Sequence, residues 1–218
     1  MMRKRVQVQA RYLDLTMPLG PDTPVYPGDP RPELVADADF GTHGYLCHTL
    51  KLGTHAGTHL DAPGHMVPGA ALLGDFGVER FFGRGVLIDM RDGLDAERVR
   101  GCEIQPGDIV LLWTGFSDDL SATYYERVPD IAPAATALLA ASGASLVGID
   151  AGSIDTEPFP VHKAILGADI LLAENLIGLA RLAGQAFTVT ALPLRLGLDG
   201  APARVVATIA APGAELAP

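Results

Sequence analysis

The segment His55-Ala56-Gly57-Thr58-His59-Leu60-Asp61-Ala62-Pro63-Gly64-His65 holds three of the chain's six histidines and one carboxylate within eleven residues. Neutral imidazole nitrogen and carboxylate oxygen are the ligands that suit Zn²⁺, Mn²⁺ or Fe²⁺. His55 and His59, four apart, would share one face of a helical turn. Ala62-Pro63-Gly64 ends any such helix. Gly57 keeps the backbone turnable, so a tight loop can fold Asp61 back onto the same ion. This is not the zinc-protease motif H-E-x-x-H, because Ala56 stands where the general-base Glu is required. A single histidine here would read more simply as a loop residue bonded to a carbonyl; three with an aspartate favour a metal. A closed structural zinc site prefers cysteine, and Cys47, eight residues before His55, is the one within reach. Oxygen and nitrogen donors point instead to a catalytic ion with an open position.

Around this segment the chain has the composition of one loop-rich domain. It has 218 residues, 48% of them hydrophobic, with 25 Gly and 17 Pro. Gly and Pro reach nearly a fifth of the chain, against an average near 12% and below the roughly 25–30% of low-complexity sequence. A formal charge of −10 argues against a nucleic-acid surface. The only basic cluster, Met1-Met2-Arg3-Lys4-Arg5, precedes no apolar run, so neither a signal peptide nor a membrane anchor is expected. The uncharged stretch Ile131 to Ile149 contains Pro133, Ser142 and Gly143, which fits a helix, turn and buried strand better than a span. Cys47 and Cys102 are too few for a disulfide scaffold and are expected as buried free thiols in a reducing cytoplasm.

Outward along the chain, element types alternate. Tyr12 to Leu15 reads as a short strand, and Pro18 to Pro32 as neither helix nor central strand. Tyr45 to Leu52 partly alternates, predicting a strand that delivers the histidine segment to one end of the sheet. Gly85–Asp89, Ile109–Trp113, Ser145–Ile149, Ile170–Glu174, Phe187–Leu192 and Arg204–Ile209 read as further strands. Pro133 to Ser142, closed by Gly143, reads as a helix, and Ala164 to Ala168 as a shorter one. The interleaving predicts a single α/β domain over residues 12–218 with a mixed sheet, after an N-terminal extension of residues 1–11.

The histidine segment matches without mismatch the signature H-x-G-T-H-x-D-x-P-x-H of the cyclase family of metal-dependent hydrolases, which includes bacterial kynurenine formamidase and isatin hydrolase. The chain resembles that family further in Tyr26-Pro27-Gly28-Asp29-Pro30, in Asp150 to Asp155, in His162-Lys163 and in Glu174-Asn175-Leu176. The resemblance covers roughly residues 12 to 209. It implies a swivelling β/β/α architecture and a homodimer or larger assembly. It also implies a first metal on His55, His59 and Asp61, and a second on Asp61, His162 and Glu174, with His65 as general acid/base. Two zinc ions are expected, with manganese as the other candidate; a single Mn²⁺ would accord with the isatin hydrolase branch. Metal coordination lowers the pKa of water towards about 7, and hydrolysis of a small amide such as N-formylkynurenine follows. Ring-opening of an isatin-like cyclic amide or a lactone, or a metal-binding module without catalysis, are the alternatives.

Other residues carry weaker expectations. Tyr26 stands where kynurenine formamidases carry a Trp that the family assigns to stacking on the aromatic substrate; tyrosine offers a smaller face and a hydroxyl. Glu174 ends an apolar run, where a metal partner would relieve the cost of burying it. Asp150 and Asp155 could orient ligand histidines or serve as caps and turns. Thr58 could bond a ligand carboxylate or close the turn, and Trp113 could line the pocket or pack the core. His43 and His48 read as loop and strand residues.

Overall fold

A computed structural model describes residues 10–209. The basic cluster and most of the 1–11 extension lie outside the described residues. Arg11 is already paired with Ile209, so the last residue of that extension belongs to the sheet.

The strands are β1 (Arg11–Asp14), β2 (Glu33–Ala38), β3 (Cys47–Lys51), β4 (His59–Asp61), β5 (Phe82–Asp89), β6 (Ile109–Trp113), β7 (Leu146–Ile149), β8 (Leu171–Glu174), β9 (Phe187–Pro193) and β10 (Gly200–Ile209). The helices are α1 (Phe40–His43), α2 (Ala96–Arg100), α3 (Pro133–Ala140) and α4 (Pro160–Gly167). The fold is a single mixed α/β domain, as expected, but its sheet closes on itself. Strands run in the order β10-β4-β8-β7-β6-β5-β9, and β9 pairs back to β10. Closure depends on the length of β10. Its first residues, Gly200–Pro202, pair with β4, and Ala203–Ile209 pair with β9. β1 continues along the edge that β4 leaves free.

β5 to β8 are parallel, and β6, β7 and β8 read as continuous apolar runs because both faces are buried. Leu111, Leu146, Leu171 and Ala173 point into the barrel with Leu60 and Val205. Val110, Leu112, Val147, Ile149 and Leu172 point outward, against Ala135 and Leu139 of α3 and Val161 and Ile165 of α4. Each such leucine contributes roughly 1.5–3 kcal/mol by leaving water. Gly85 leaves room for the Phe187 ring inside the barrel: a Cβ there would lie 1.9 Å from Cε2.

Two expectations need correction. β3 does not join the sheet; it pairs only with β2, as an exposed two-stranded ribbon carrying α1 between its strands. Cys47 is accordingly exposed on that ribbon and Cys102 half-buried, so neither is the buried thiol expected. Among the described residues no helix is long and apolar enough to cross a membrane. The uncharged stretch folds instead into α3, a turn at Gly143 with φ +73°, and β7.

Candidate metal centre

The motif is held by a strand rather than by a helical turn. His59, Leu60 and Asp61 form β4, and alternation sends Leu60 into the barrel and its two neighbours outward. β8 runs antiparallel beside it with Glu174 directly opposite His59. α4 packs over this outer face and supplies His162. His55 and His65 flank β4, His55 in the turn before it and His65 in the short 3₁₀ helix Pro63–His65 after it, so β4, β8 and α4 converge on one side of the barrel.

Each ring has one nitrogen committed elsewhere. His59 Nδ1 donates to the Gly57 carbonyl at 2.8 Å, which leaves Nε2 facing Asp61 Oδ1 at 3.2 Å and Glu174 Oε2 at 3.8 Å. His162 Nδ1 donates to Asp155 Oδ1 at 2.5 Å, which leaves Nε2 facing Glu174 Oε1 at 3.3 Å and Asp61 Oδ2 at 4.0 Å. Such outer partners fix the tautomer and aim of metal-ligating histidines. His55 Nδ1 meets Asp61 Oδ1 at 2.7 Å. His59 Nε2 and Asp61 Oδ2 are buried and make no hydrogen bond. Polar atoms that converge in a buried site without hydrogen bonds are costly, and a divalent cation removes that cost. The donor set therefore fits one. His59, Asp61 and Glu174 bring ligand atoms within 4.8 Å of one another, as do His55, Asp61 and His65. Asp61 belongs to both groups. The groupings otherwise differ from the expected sets: Glu174 stands nearest His59 and His162, while His55 stands beside His65.

Electrostatics agree. Burial alone would drive protons off the rings, but the carboxylates outweigh it. His55 rises to about 9 through Asp61 and Asp199, His162 rises to about 10 through Asp155 and Glu174, and His59 also rises. Burial opposes the charge of Asp61 too, yet the histidines hold its carboxyl well below the usual range. The site demands positive charge, which protons supply in the absence of metal. His65 is the exception, because burial pushes it below its ordinary value.

The family model described as "Putative cyclase" matches residues 13–156. The chain belongs to the cyclase family. Kynurenine formamidase of Sphingopyxis alaskensis is 31% identical over 212 residues, covering 90% of this chain and 97% of that protein. Isatin hydrolase A from Labrenzia aggregata, bound to benzyl benzoate, aligns with a TM-score of 0.83 at 25% identity, covering 93% of this chain and 94% of that one. A structure described as a potential metal-dependent hydrolase with cyclase activity aligns with a TM-score of 0.75 at 30% identity, covering 94% and 100%.

In this cyclase-family chain the centre opens into a cavity of about 300 Å³ lined by Tyr26, Asp29, Met66, Tyr125, Ser153 and Phe159 together with the histidines and Glu174. Tyr26 is thus at the cavity, edge-on to Tyr125 with ring centroids 5.9 Å apart. Gly152 lets Tyr125 lie against it; a Cβ would come within 2.6 Å of the ring. Phe159 adopts a left-handed backbone, φ 58°, and lays its ring against His162 at 5.7 Å. Sequence reasoning missed Tyr125, whose hydroxyl donates to Asn175 Oδ1 at 3.3 Å. It missed Asp199 as well. Asp199 Oδ2 accepts from His55 Nε2 at 2.9 Å and from His65 Nδ1 at 3.3 Å. The only signal was an Asp-Gly pair, which by itself reads as a turn.

The weaker expectations sort themselves. Asp155 does both jobs: one oxygen holds His162 and the other accepts the Val161 amide at 2.5 Å, at the start of α4. Asp150 touches no histidine and instead binds the Thr114 and Gly115 amides at 2.6 and 3.0 Å. Thr58 contacts no ligand carboxylate. Its hydroxyl donates to the Asn175 carbonyl at 2.6 Å and accepts the Met17 amide at 2.8 Å, tying the motif to the chain around it. Trp113 packs against the barrel core under the Arg91 guanidinium, 3.9 Å from its centroid, and does not line the cavity. Cys47, exposed on the ribbon, belongs to neither ligand grouping.

Proposed function

We propose that this chain hydrolyses a small amide, with an N-formyl arylamine such as N-formylkynurenine as the leading substrate, in a metal-dependent reaction. The observation that carries the reading is the buried His59 Nε2, without a hydrogen bond, aimed at Asp61 and Glu174 in a cavity walled by two tyrosines. In this reading His55, His59, Asp61, His162 and Glu174 hold two divalent ions, zinc or manganese. When bound, such ions lower the pKa of water and polarise a carbonyl oxygen. His65 does the proton work. Its Nδ1 donates to Asp199, so Nε2 carries the free lone pair. Its lowered pKa keeps that atom unprotonated at neutral pH. Nε2 can then accept the proton of the attacking water and pass it to the leaving nitrogen as the C–N bond breaks. Tyr26 and Tyr125 offer aromatic edges and hydroxyls to an aryl group, while Met66 and Phe159 exclude water.

The same reading carries a cytoplasmic setting and a homodimer or larger assembly. Leu50, Tyr45 and Phe40, exposed on the ribbon, support the assembly, which light scattering of the purified protein tests. The experiment for the activity is a panel of aryl formamides, cyclic imides and lactones offered to zinc- and manganese-loaded protein. Fast turnover of the formamides is expected; no turnover of any member by either metal form overturns the reading. A second reading, hydrolysis of an isatin-like cyclic amide at one Mn²⁺, is supported by the likeness to isatin hydrolase A. Turnover confined to the cyclic imides, with one ion per chain, would select it.

A further inference from the structure

We propose that the Tyr125 hydroxyl is a hydrogen-bond donor to the oxygen of the scissile carbonyl, and that Asn175 is the positioning residue that frees its hydrogen for that use. The inference deepens the amide-hydrolase reading and rests on it. Asn175 follows Glu174 at the end of β8 and is wholly buried. Its backbone is fixed on both sides: the amide donates to the Ala151 carbonyl at 3.0 Å, and the carbonyl accepts the Thr58 hydroxyl at 2.6 Å. Its side-chain amide is only half satisfied. Oδ1 accepts from Tyr125 at 3.3 Å, while Nδ2 is buried with no acceptor among the described residues. A buried donor without a partner is costly, so this one calls for an explanation.

The Tyr125 ring is clamped edge-on between Tyr26 and Tyr124, with centroids 5.9 and 5.2 Å away, and lies against Gly152. Its phenol hydrogen is the part left free to reorient. The ring lines the cavity together with Glu174, and its hydroxyl bonds the residue next to Glu174. Burial pushes the phenol upward, and the Glu174 charge adds to it, so the hydroxyl keeps its hydrogen at neutral pH. Turning the Asn175 amide by half a revolution, which its broad terminal torsion permits, puts Nδ2 in place of Oδ1 opposite the phenol. Nδ2 then donates to the Tyr125 oxygen, and the phenol hydrogen is released towards the cavity. Without an acceptor there, the turn only exchanges one hydrogen bond for another. With a carbonyl oxygen in reach it gains one, and the gain grows as attack places negative charge on that oxygen. No proton is transferred; the phenol keeps its hydrogen throughout.

The test measures kcat and KM for formanilide on metal-loaded wild type, Tyr125→Phe and Asn175→Asp, with elemental analysis of each. Tyr125→Phe should lower kcat by about 10²–10³, the usual effect of losing one such donor, and change KM far less. Asn175→Asp keeps the acceptor but, ionised, has no hydrogen to give, so the phenol stays bound to it. Its backbone is suited to the site, since aspartate tolerates the φ of 59° found there. Its kcat should fall to the same level, and the double variant should fall no further. Wild-type kcat in Asn175→Asp would mean that Asn175 merely holds the ring, and would overturn its role. Should that variant lose metal, Asn175→Ala decides in the same sense. Unchanged kcat in Tyr125→Phe overturns the donor itself. If no amide is turned over, calorimetry on the same proteins compares formanilide with N-methylaniline, which has the same outline without the oxygen. An advantage for formanilide that drops roughly two- to tenfold in Tyr125→Phe, the worth of one neutral hydrogen bond, would leave the carbonyl donor standing while the hydrolase reading fails. No drop overturns the donor as well.

Discussion

Asp199 accepts a hydrogen bond from His65 across 134 positions of sequence, its Oδ2 3.3 Å from the ring's Nδ1. The same oxygen holds His55 Nε2. One carboxylate thus orients a proposed ligand and the proposed proton carrier together. Asp199→Ala should lower kcat by about 10–100-fold, the usual effect of removing such a partner. Asp199→Asn, which keeps an acceptor oxygen, should recover much of it. Equal kcat in wild type and Asp199→Ala would remove the residue from the site's workings.

His65 stands beside His55 and Asp61, close enough to be a ligand itself. If it carries protons instead, His65→Ala should retain full metal while kcat falls by about 10²–10⁴. Elemental analysis alongside turnover decides the point. Loss of an ion in His65→Ala would make it a ligand.

Metal-free protein should have an unusual dependence on pH. His55 and His162 titrate at about 9 and 10 when folded, against 6.5 unfolded. Raised values mean that protonation stabilises the fold below pH 6.5, and that this contribution is lost as pH rises through 9 to 10. Urea midpoints of the chelated protein should therefore fall between pH 6.5 and 10. Metal affinity should climb over the same interval, because the same protons must leave before the nitrogens can coordinate. A flat urea profile in chelator would show that these rings do not carry charge in the metal-free fold.

Gly200, at the start of β10, packs directly on His55, a proposed ligand. A Cβ there would stand 2.7 Å from His55 Cε1 and 3.0 Å from the Leu60 carbonyl. Gly200→Ala should cost about 1–3 kcal/mol of stability, as overpacking does, and should weaken metal binding by displacing His55. Thermal melting with and without zinc reads both effects. An unchanged melting temperature in both states would show that the ring moves aside freely.

The parts legible in sequence were those where the local pattern equals the global requirement. Strands β6, β7 and β8 are buried on both faces, so their apolar runs announce them; α3 is bracketed by Pro133 and Gly143. The motif residues, His162, Glu174 and Tyr26 were legible through a signature, and the structure brings them to one cavity. β4 was not legible, because three residues carry no period and its strand character comes from pairing with β8 and β10. That is why the four-residue spacing of His55 and His59 suggested a helical turn, when the operative spacing is the two residues from His59 to Asp61. β3 alternates like a sheet strand, and nothing local says that its partner is only a ribbon. Asp199 lies in a loop and Tyr125 in a single 3₁₀ turn, where one polar or aromatic residue has no pattern to betray it.

The dependence of closure on β10 sets an order of assembly. During synthesis His55, His59 and Asp61 leave the ribosome more than a hundred residues before Gly200. Until β10 arrives, β4 lacks one of its neighbours, and the loop that carries Asp199 has no anchor. A nascent chain therefore holds the proposed donors His55, His59, Asp61, His162 and Glu174 before it has the strand that closes the barrel beside β4. Closure of the barrel is thus a late event in biogenesis, and His55 and His65 gain their shared Asp199 partner only as the last strand is made.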